Sequence, residues 1–309
     1  KSYSDPDQTN EISKLFEINK AAAKYFFKNL EELSGNEKEL VFNYLNKRSI
    51  DNKLRTKFGI GYAGKSWDNL FNHFLEEDIF KKEDIEKAGL ILRNDKDESK
   101  LYDRFRGRLM FPIFNESDKV VGFGGRKLFE DDLGGKYINS PESKIYSKSK
   151  ILYGLNFAKE KIRFFDYVIL VEGYMDIVSL SKNGIENVVA SSGTALSEDQ
   201  VKLISRYTKN IFILFDSDFA GIKAAKRGIE IILEAGLELN VISLPDGEDP
   251  DSFINKFGKE EFEKFLKNKK TVINFIAELY EKEGKFETVS DKTEFIKEII
   301  GYIGKIPDT

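Results

Sequence analysis

From Phe165 onward the chain alternates short apolar runs with amphipathic segments, and this alternation constrains the fold more than any other feature. The runs YVILVEG, NVVAS, NIFILFD and NVISL predict strands, and the segments between them have the periodicity of helices. Continuous apolar strands separated by helices are typical of a parallel sheet covered by helices on both faces. The sequence therefore predicts a central α/β domain near residues 160–268.

The regions on either side of this domain have other patterns. Residues 1–100 predict mostly helices, including a long one over ISKLFEINKAAAKYFFKNLEEL that ends at Ser34 and Gly35. RLMFPIF and KVVGFGGRKL predict two strands joined by a turn, followed by a loop over 127–150. We therefore expect an α/β protein, α+β overall, with a mixed N-terminal subdomain (1–147), a central parallel-sheet subdomain (148–268) and a C-terminal helical subdomain (269–309).

Acidic side chains follow two of the predicted strands. Glu172 ends the first, and Asp216 ends the third, with Asp218 two residues later. Ligands bind beyond the carboxyl ends of the strands in open α/β sheets, so these carboxylates should converge and would need a cation to offset their repulsion. A single acid at a strand end is often only a helix cap, so the argument depends on the group. Further candidates are Asp176, Asp249 and Asp251.

The composition limits which cation such a site could hold. Among 309 residues there is no cysteine and one histidine, His73, which excludes thiolate sites and sites with several histidines. His73 lies in an apolar helical pattern and is expected to be structural. Oxygen ligands favour hard ions, so we expect Mg²⁺, with Mn²⁺ able to replace it, and no zinc.

Charge is distributed unevenly along the chain. The net charge is −4, yet residues 136–163 carry seven basic side chains against two acidic ones, while residues 242–251 are acidic. This distribution suits phosphate binding beside metal binding, although a solvated lysine-rich surface explains the lysines equally well. Arg126 follows Gly122, Gly124 and Gly125, which either let a phosphate approach the backbone or belong to an ordinary twisted hairpin.

No apolar run approaches the roughly 18 residues that a membrane span needs, and the N-terminus has no signal-peptide pattern. We therefore expect a cytoplasmic protein with no membrane partner. The sequence does not begin with methionine, and we expect it to be part of a longer protein.

Seven segments together resemble one family. EGYMD (172–176), FDSDFAG (215–221) and LPDGEDPDS (244–252) resemble the acidic motifs in the topoisomerase–primase (TOPRIM) module of bacterial DNA primase catalytic cores. Four upstream segments also resemble this family, namely RFRGRLMFPI (104–113), VVGFGGR (120–126), KYINSPES (136–143) and YSKSKILYGL (146–155). The resemblance is strong from about residue 101 to 258 and weaker in the helical ends.

The resemblance implies synthesis of short RNA primers on single-stranded DNA from nucleoside triphosphates in the bacterial replisome, by metal-dependent nucleotidyl transfer. It implies that Glu172, Asp216 and Asp218 are the catalytic metal ligands. The supporting acids that it implies are Asp176, Asp249 and Asp251. The groove that it implies for nucleotide and nucleic acid is formed by Arg106, Arg126, Lys136, Tyr137, Asn139 and Lys148.

The implied partners are the DNA template, ribonucleoside triphosphates, the RNA primer–DNA duplex and the replicative helicase. Family members bind the helicase through a C-terminal domain and carry an N-terminal zinc-binding domain. We expect neither domain within these 309 residues, which contain no cysteine for a zinc-binding domain.

Other functions remain open from the residues alone. GIGYAGKS (59–66) fits the phosphate-loop pattern of an ATPase, with Lys65 on the phosphates and Ser66 on magnesium. That mechanism requires a buried strand leading directly into the loop, whereas the preceding DNKLRTKF predicts an exposed helix or turn. A TOPRIM-type magnesium nuclease would degrade single-stranded DNA without nucleotides. A non-catalytic binding module would bind DNA and never consume nucleotides.

Overall fold

The structure is a computed structural model that describes residues 6–94, 97–129, 134–193, 195–216 and 218–307. The chain forms two compact units, the first ending at Lys148 and the second beginning at Ser149. In the described residues, no helix combines the length and the apolar character that crossing a membrane requires.

The first unit begins with helices and continues with short strands. Its helices are α1 (Pro6–Glu31), α2 (Gly35–Lys47), α3 (Asn52–Phe58), α4 (Asn69–Glu76) and α5 (Lys82–Lys87). Its strands are β1 (Gly61–Ala63), β2 (Ile91–Asn94), β3 (Asp97–Asp103), β4 (Arg108–Phe114), β5 (Val120–Lys127) and β6 (Tyr137–Asn139). A 3-10 turn, Lys148–Lys150, follows. The long N-terminal helix predicted from the sequence is confirmed, and it ends just before Ser34.

The main sheet of the first unit has the strand order β1-β4-β5-β6 and is antiparallel throughout. The predicted pair of strands β4 and β5 is confirmed. Strands β2 and β3 form a separate hairpin that the sequence did not predict. Strand β6 lies within the predicted loop over 127–150. It was not predicted because its three residues are all half-buried, so they show no alternation, and it forms by pairing with β5. Residues 130–133 of that loop lie outside the described residues.

Helix α1 packs on this sheet and supplies much of the core. Phe26 contacts Phe123 of β5 edge to face, with ring centroids 5.4 Å apart. The backbone of α1 also lies directly on β1, since a Cβ at Gly61 would come within 2.4 Å of the Phe26 carbonyl carbon. His73 of α4 stacks on Tyr25 at 4.7 Å, in agreement with the structural role expected for it.

Strand β1 lies inside the GIGYAGKS segment and is preceded by helix α3. A phosphate loop needs the strand before the first glycine and a helix directly after the lysine. Instead, residues 64–68 form turns, and the Lys65 ammonium sits 3.6 Å from the centre of the Phe129 ring. The phosphate-loop interpretation of this segment is therefore wrong.

The second unit alternates strands and helices. Its strands are β7 (Val168–Val171), β8 (Val188–Ala190), β9 (Asn210–Ile213), β10 (Glu238–Val241) and β11 (Lys270–Thr271). Its helices are α6 (Leu155–Phe165), α7 (Tyr174–Lys182), α8 (Glu198–Ile204), α9 (Phe219–Glu234), α10 (Pro250–Lys267), α11 (Val272–Lys282) and α12 (Val289–Ile303).

The sheet of the second unit has the order β11-β10-β9-β7-β8. Strands β7 to β10 are parallel, and only β11 runs against its neighbour. The predicted parallel sheet is confirmed, although β10 begins earlier than NVISL indicated and α6 was not predicted. Both faces of the sheet are buried, and α11 and α12 add Phe275, Ile276, Tyr280 and Tyr302 to its core.

Candidate metal centre and nucleic-acid interface

Two acids follow neighbouring strands in the middle of the parallel sheet. Strands β7 and β9 pair directly, with Leu170 opposite Ile213. Glu172 follows the last residue of β7, and Asp216 lies three residues after β9. The pairing continues beyond β9, because the Leu214 N–H donates to the Leu170 carbonyl over 2.9 Å. Both acids therefore lie at the carboxyl edge, the edge of the sheet where β7, β9 and β10 end.

Glu172 is half-buried, and its environment disfavours a negative charge. Its Oε1 is buried and has no hydrogen-bond partner among the described residues. Burial, together with the charges of Asp216 and Asp218, raises the pKa of the Glu172 carboxyl to about 7, although a hydrogen bond from the Asp216 N–H opposes this shift. A buried carboxylate that two other carboxylates repel is a group that a cation would stabilise.

Asp176 belongs to the same electrostatic group. It is 8% exposed, and its carboxylate accepts a hydrogen bond of 2.9 Å from the Gly173 N–H at the start of α7. Burial raises its pKa to about 8, with added contributions from the charges of Asp216, Asp249 and Glu172. These interactions define an acid cluster, which consists of Glu172, Asp176, Asp216, Asp218 and Asp249.

Two members of the acid cluster also cap helices. Asp218 Oδ1 accepts a hydrogen bond of 2.7 Å from the Gly221 N–H at the start of α9. Asp249 Oδ1 accepts one of 2.6 Å from the Ser252 N–H at the start of α10. A carboxylate has two oxygens and several lone pairs, so capping does not prevent a further contact to a cation.

Gly221 fixes how closely α9 approaches Asp216. A Cβ at Gly221 would lie 2.2 Å from the Asp216 carbonyl oxygen, which is shorter than any tolerated contact. The first turn of α9 therefore packs directly on the backbone that carries Asp216. The glycine of the FDSDFAG segment thus helps to hold Asp216 and Asp218 in place.

Asp251 is buried where α7 meets α10. It is 3% exposed, and its Oδ1 accepts hydrogen bonds from the Ser179 hydroxyl and the Asn255 amide. These contacts join α7 to α10, so Asp251 acts on the acid cluster through the helices that position it.

The acid cluster has the donor set of a hard divalent ion, namely carboxylate oxygens alone. Within the described residues, no three histidine or acidic side chains approach closely enough to form a ready metal site. The buried Glu172 Oε1 without a partner and the mutual repulsion of the acids nevertheless fit a cation. These residues therefore fit a divalent metal ion once their side chains adjust to it.

In the first unit, Arg106 is stacked among aromatic rings. Its guanidinium carbon lies 4.2 Å from the Trp67 ring and 5.1 Å from the Tyr102 ring, and it donates to the Asp103 carbonyl. Trp67 is 62% exposed although it is large and apolar. We call Trp67, Tyr102 and Arg106 the stacking surface, because an exposed ring beside a fixed arginine suits bases and phosphates.

Sequence reasoning did not identify Trp67 or Tyr102 as functional residues. The sequence offered only a weak signal, the single tryptophan at the end of GYAGKSW. No hydrophobic periodicity around it indicates that its side chain is exposed. The buried Asp103 was missed as well. Its carboxylate accepts from the Leu70 and Phe71 N–H groups over 2.8 and 3.1 Å and so fixes the start of α4 beside Trp67.

The other predicted groove residues lie on or near β5 and β6. Arg126 Nη1 donates to the Tyr137 hydroxyl over 2.8 Å. The Asn139 carbonyl accepts two hydrogen bonds from the Arg104 guanidinium, at 3.2 and 2.9 Å. Lys136 is exposed, and the Lys148 N–H donates to Glu142 Oε1 over 2.9 Å.

The glycines of β5 do not receive a phosphate as the sequence suggested. Gly122, Gly124 and Gly125 are buried. A Cβ at Gly122 would contact Ser140 at 3.1 Å, and one at Gly125 would come within 2.8 Å of Phe105. The interpretation as an ordinary hairpin is therefore confirmed, because these glycines make room for neighbouring side chains.

Comparison with known families divides the chain at about the same place. A family model described as "DNA primase catalytic core, N-terminal domain" matches residues 25–159. A second, described as "Toprim-like", matches residues 169–254. The two models cover the stacking surface and the acid cluster, respectively.

Individual proteins agree with these matches. A DNA primase from Clostridium acetobutylicum is 43% identical over 307 residues, which is 96% of this chain and 50% of that protein. A crystal structure of a DNA primase domain from Pseudomonas aeruginosa has a TM-score of 0.83 at 35% identity and covers 95% of this chain and 91% of its own. A structure of the DnaG primase catalytic domain bound to ssDNA has a TM-score of 0.82 at 31% identity, with coverage of 97% and 95%. The chain spans half or less of the length of the curated relatives that it matches.

Proposed function

This chain belongs to the family of bacterial DNA primase catalytic cores, and on that premise we propose that it joins ribonucleotides into short RNA primers on a single-stranded DNA template. The new phosphodiester bond forms between the 3′-oxygen of the growing strand and the α-phosphorus of the incoming nucleotide, and pyrophosphate leaves. No side chain needs to act as the nucleophile in this reaction.

The observation that carries this proposal is the acid cluster at the carboxyl edge. Glu172, Asp216 and Asp218 are the residues that would hold a divalent ion there, and Mg²⁺ is the ion we propose, with Mn²⁺ as its replacement. Such an ion, when bound, neutralises charge on the triphosphate and so lowers the barrier to transfer. Asp176 and Asp249 support the ligands by fixing the helix starts beside them, and Asp251 holds those helices together.

The basic residues of the first unit supply phosphate binding in this proposal. Arg106, Arg126, Lys136 and Lys148 hold phosphate oxygens of a nucleotide or a nucleic-acid backbone, which positions a strand without reading its sequence. Trp67 and Tyr102 stack on unpaired bases, and stacking accepts any base because every base has a π face. The relative whose structure contains ssDNA supports single-stranded DNA as the template.

The remaining partners follow from the family and stay proposals for this chain. They are ribonucleoside triphosphates and the RNA primer–DNA duplex as substrate and product. Binding to the replicative helicase rests on the resemblance alone. The cytoplasmic location and the division into three subdomains rest on the sequence patterns as well, and they too stay proposals.

The decisive experiment measures incorporation of labelled ribonucleotides on single-stranded DNA with Mg²⁺ or Mn²⁺. We expect the wild type to make short RNA, and Asp216→Asn to lose about a hundredfold or more of the rate, because a charged ligand to the ion is lost. Glu263→Gln is the matched control, since Glu263 is a half-exposed acid of α10 that pairs with Lys259. Its rate should equal that of the wild type.

The same reagents separate the competing functions. Degradation of the DNA without nucleotides would favour the TOPRIM-type nuclease. DNA binding without any incorporation would favour a non-catalytic binding module. Equal incorporation by the wild type and Asp216→Asn would reject the acid cluster as the site of the reaction.

A further inference from the structure

Arg126 is held between two tyrosine rings that come from different parts of the first unit. Its guanidinium carbon lies 4.8 Å from the Tyr44 ring of α2 and 5.4 Å from the Tyr137 ring of β6. The contact with Tyr137 follows from the sheet, because these two residues are paired across β5 and β6. The contact with Tyr44 does not, since α2 is more than 70 residues away in sequence.

Packing and a hydrogen bond hold helix α2 in place and so fix the position of Tyr44. Val41 and Leu45, on either side of Tyr44, are completely buried, and Glu37 accepts a hydrogen bond from the Tyr62 hydroxyl of β1. The Tyr44 ring is therefore presented to Arg126 by a helix that is anchored to the same sheet. The guanidinium carbon of Arg48, one turn later, lies 5.9 Å from the centre of the same ring.

The hydroxyl of Tyr44 contributes less than its ring. Tyr44 Oη and Arg126 Nε are each buried without a hydrogen-bond partner among the described residues. Burial raises the pKa of Tyr44 to about 12, so the side chain is neutral near pH 7. Its attraction for Arg126 therefore comes from the π face of the ring and not from a negative charge.

A fixed guanidinium binds phosphate better than a mobile one. Arginine recognises phosphate oxygens through a planar fork of N–H groups, so the orientation of the plane decides whether two hydrogen bonds can form together. A free arginine side chain also loses rotamer freedom when it binds, and a side chain that is already restrained loses less.

We propose that Tyr44 is a positioning residue that, with Tyr137, clamps Arg126 in the orientation in which it binds phosphate. The phosphate belongs either to the DNA backbone or to the triphosphate of a nucleotide, which present the same chemistry. The inference rests on the proposed function only for the nucleotide, because binding of a DNA strand can be measured without catalysis.

The test compares Tyr44→Phe, which keeps the ring, with Tyr44→Met, which keeps a similar volume and suits a helix but removes the ring. Affinity for fluorescein-labelled single-stranded DNA is measured by anisotropy with EDTA present, and KM and kcat for nucleotides are measured at saturating DNA. We expect Tyr44→Met to weaken one of these two phosphate interactions about three- to tenfold with little change in kcat. Tyr44→Phe should restore it.

The Arg126→Gln background separates positioning from general stability. Because Tyr44 is inferred to act through Arg126, Tyr44→Met should have no further effect on binding once Arg126 is absent. Thermal unfolding of each variant reports the folded fraction, so that a loss of folded protein is not read as a loss of affinity.

Several results would overturn the inference. The first is a Tyr44→Met variant whose DNA affinity and KM equal those of the wild type. The second is an equal loss of affinity in Tyr44→Phe and Tyr44→Met. The third is a loss of affinity in the double variant that equals the sum of the losses caused by Tyr44→Met and Arg126→Gln. If Tyr44→Met does not fold, two other variants provide the test. Tyr44→Phe shows whether the hydroxyl matters. Tyr44→Trp retains a ring and must bind DNA within about threefold of the wild-type affinity. A wild-type protein that binds DNA but makes no RNA would reject the proposed function and leave the DNA measurement valid.

Discussion

Charged side chains lie in opposite electrostatic environments in the acid cluster and on the stacking surface. In the acid cluster, carboxylates of like sign are drawn together and partly buried, and the pKa of Glu172 and of Asp176 rises to about 7 and about 8 as a result. On the stacking surface, the guanidinium of Arg106 is held by two aromatic rings and a backbone carbonyl. The first arrangement needs a ligand to relieve it, whereas the second is already stable without one.

The difference teaches how each kind of site is encoded. The acid cluster follows from sheet topology, because parallel strands deliver their last residues to one edge. The stacking surface depends on side chains from the turn before α4, from β3 and from the segment before β4, which only packing brings together. The acid cluster should therefore respond to backbone shifts at strand ends and to metal, and the stacking surface to loss of single rings.

The largest effect is expected from Gly221→Ala, which tests whether backbone position controls the acid cluster. The added Cβ would lie 2.2 Å from the Asp216 carbonyl oxygen, so α9 or the strand end must move. We expect a loss of about 3 kcal/mol in the free energy of unfolding in urea, and a fall in nucleotide incorporation.

Gly228→Ala in the same helix is the control. A Cβ there would meet Ile213 at 3.4 Å, an ordinary contact, and alanine favours a helix by up to about 1 kcal/mol over glycine. If both substitutions changed stability equally, the close approach at Gly221 would not matter to the site.

The next effect concerns the stress within the acid cluster and its relief by metal. With EDTA present, Glu172→Gln should be as stable as the wild type or more stable, because an amide removes the repulsion from Asp216 and Asp218. At about 100 times the dissociation constant, Mn²⁺ should stabilise the wild type by about 2.7 kcal/mol in thermal unfolding and Glu172→Gln by far less. Equal stabilisation of both would place the metal elsewhere, and Glu263→Gln should behave as the wild type throughout.

On the stacking surface, we expect the loss of a single ring to weaken DNA binding without any involvement of metal. Trp67→Ala should weaken binding of single-stranded DNA by about 2 kcal/mol, because an exposed ring that stacks on a base is lost together with a neighbour of Arg106. Trp67→Phe should keep most of the affinity. The measurement is fluorescence anisotropy in EDTA, where the acid cluster is inactive. A loss of affinity that appears only with metal present would mean that the two regions are not independent.

A pH dependence of stability is expected in the first unit. Burial raises the pKa of Asp103 to about 7, against about 3.9 in an unfolded chain. The folded state then binds a proton more tightly, so stability is full below about pH 4 and falls as pH rises toward about 7, by at most about 1.4 kcal/mol per unit.

The comparison of the wild type with Asp103→Asn isolates this contribution, since the acid cluster titrates in both proteins. Unfolding in urea is measured between pH 5 and 8, a range chosen to bracket the folded pKa of about 7. The wild type should lose stability relative to the variant up to about pH 7 and no further. A difference that grows above pH 7 would show that another group is responsible.

The parallel sheet and the acids at its edge could be predicted from local sequence patterns alone. Apolar runs such as VILV and IFIL need burial on both faces, and a strand that ends in Glu172 or Asp216 fixes those acids at the edge whatever surrounds the sheet. The β4–β5 pair and the helix α1 were predicted for the same reason, because their signals are local and periodic. The motifs around these elements also carried the family.

The other features depend on contacts between distant segments, which the packed fold alone defines. Strands β1 and β6 have three residues each and exist through their partners. Asp218 and Asp249 acquired capping roles, Asp251 a linking role, and the glycines of β5 a packing role, none of which the composition distinguishes. Tyr44 and Trp67 meet their arginines across long stretches of chain, and a contact of that kind depends on how helices and sheets pack, for which one sequence has no local signal.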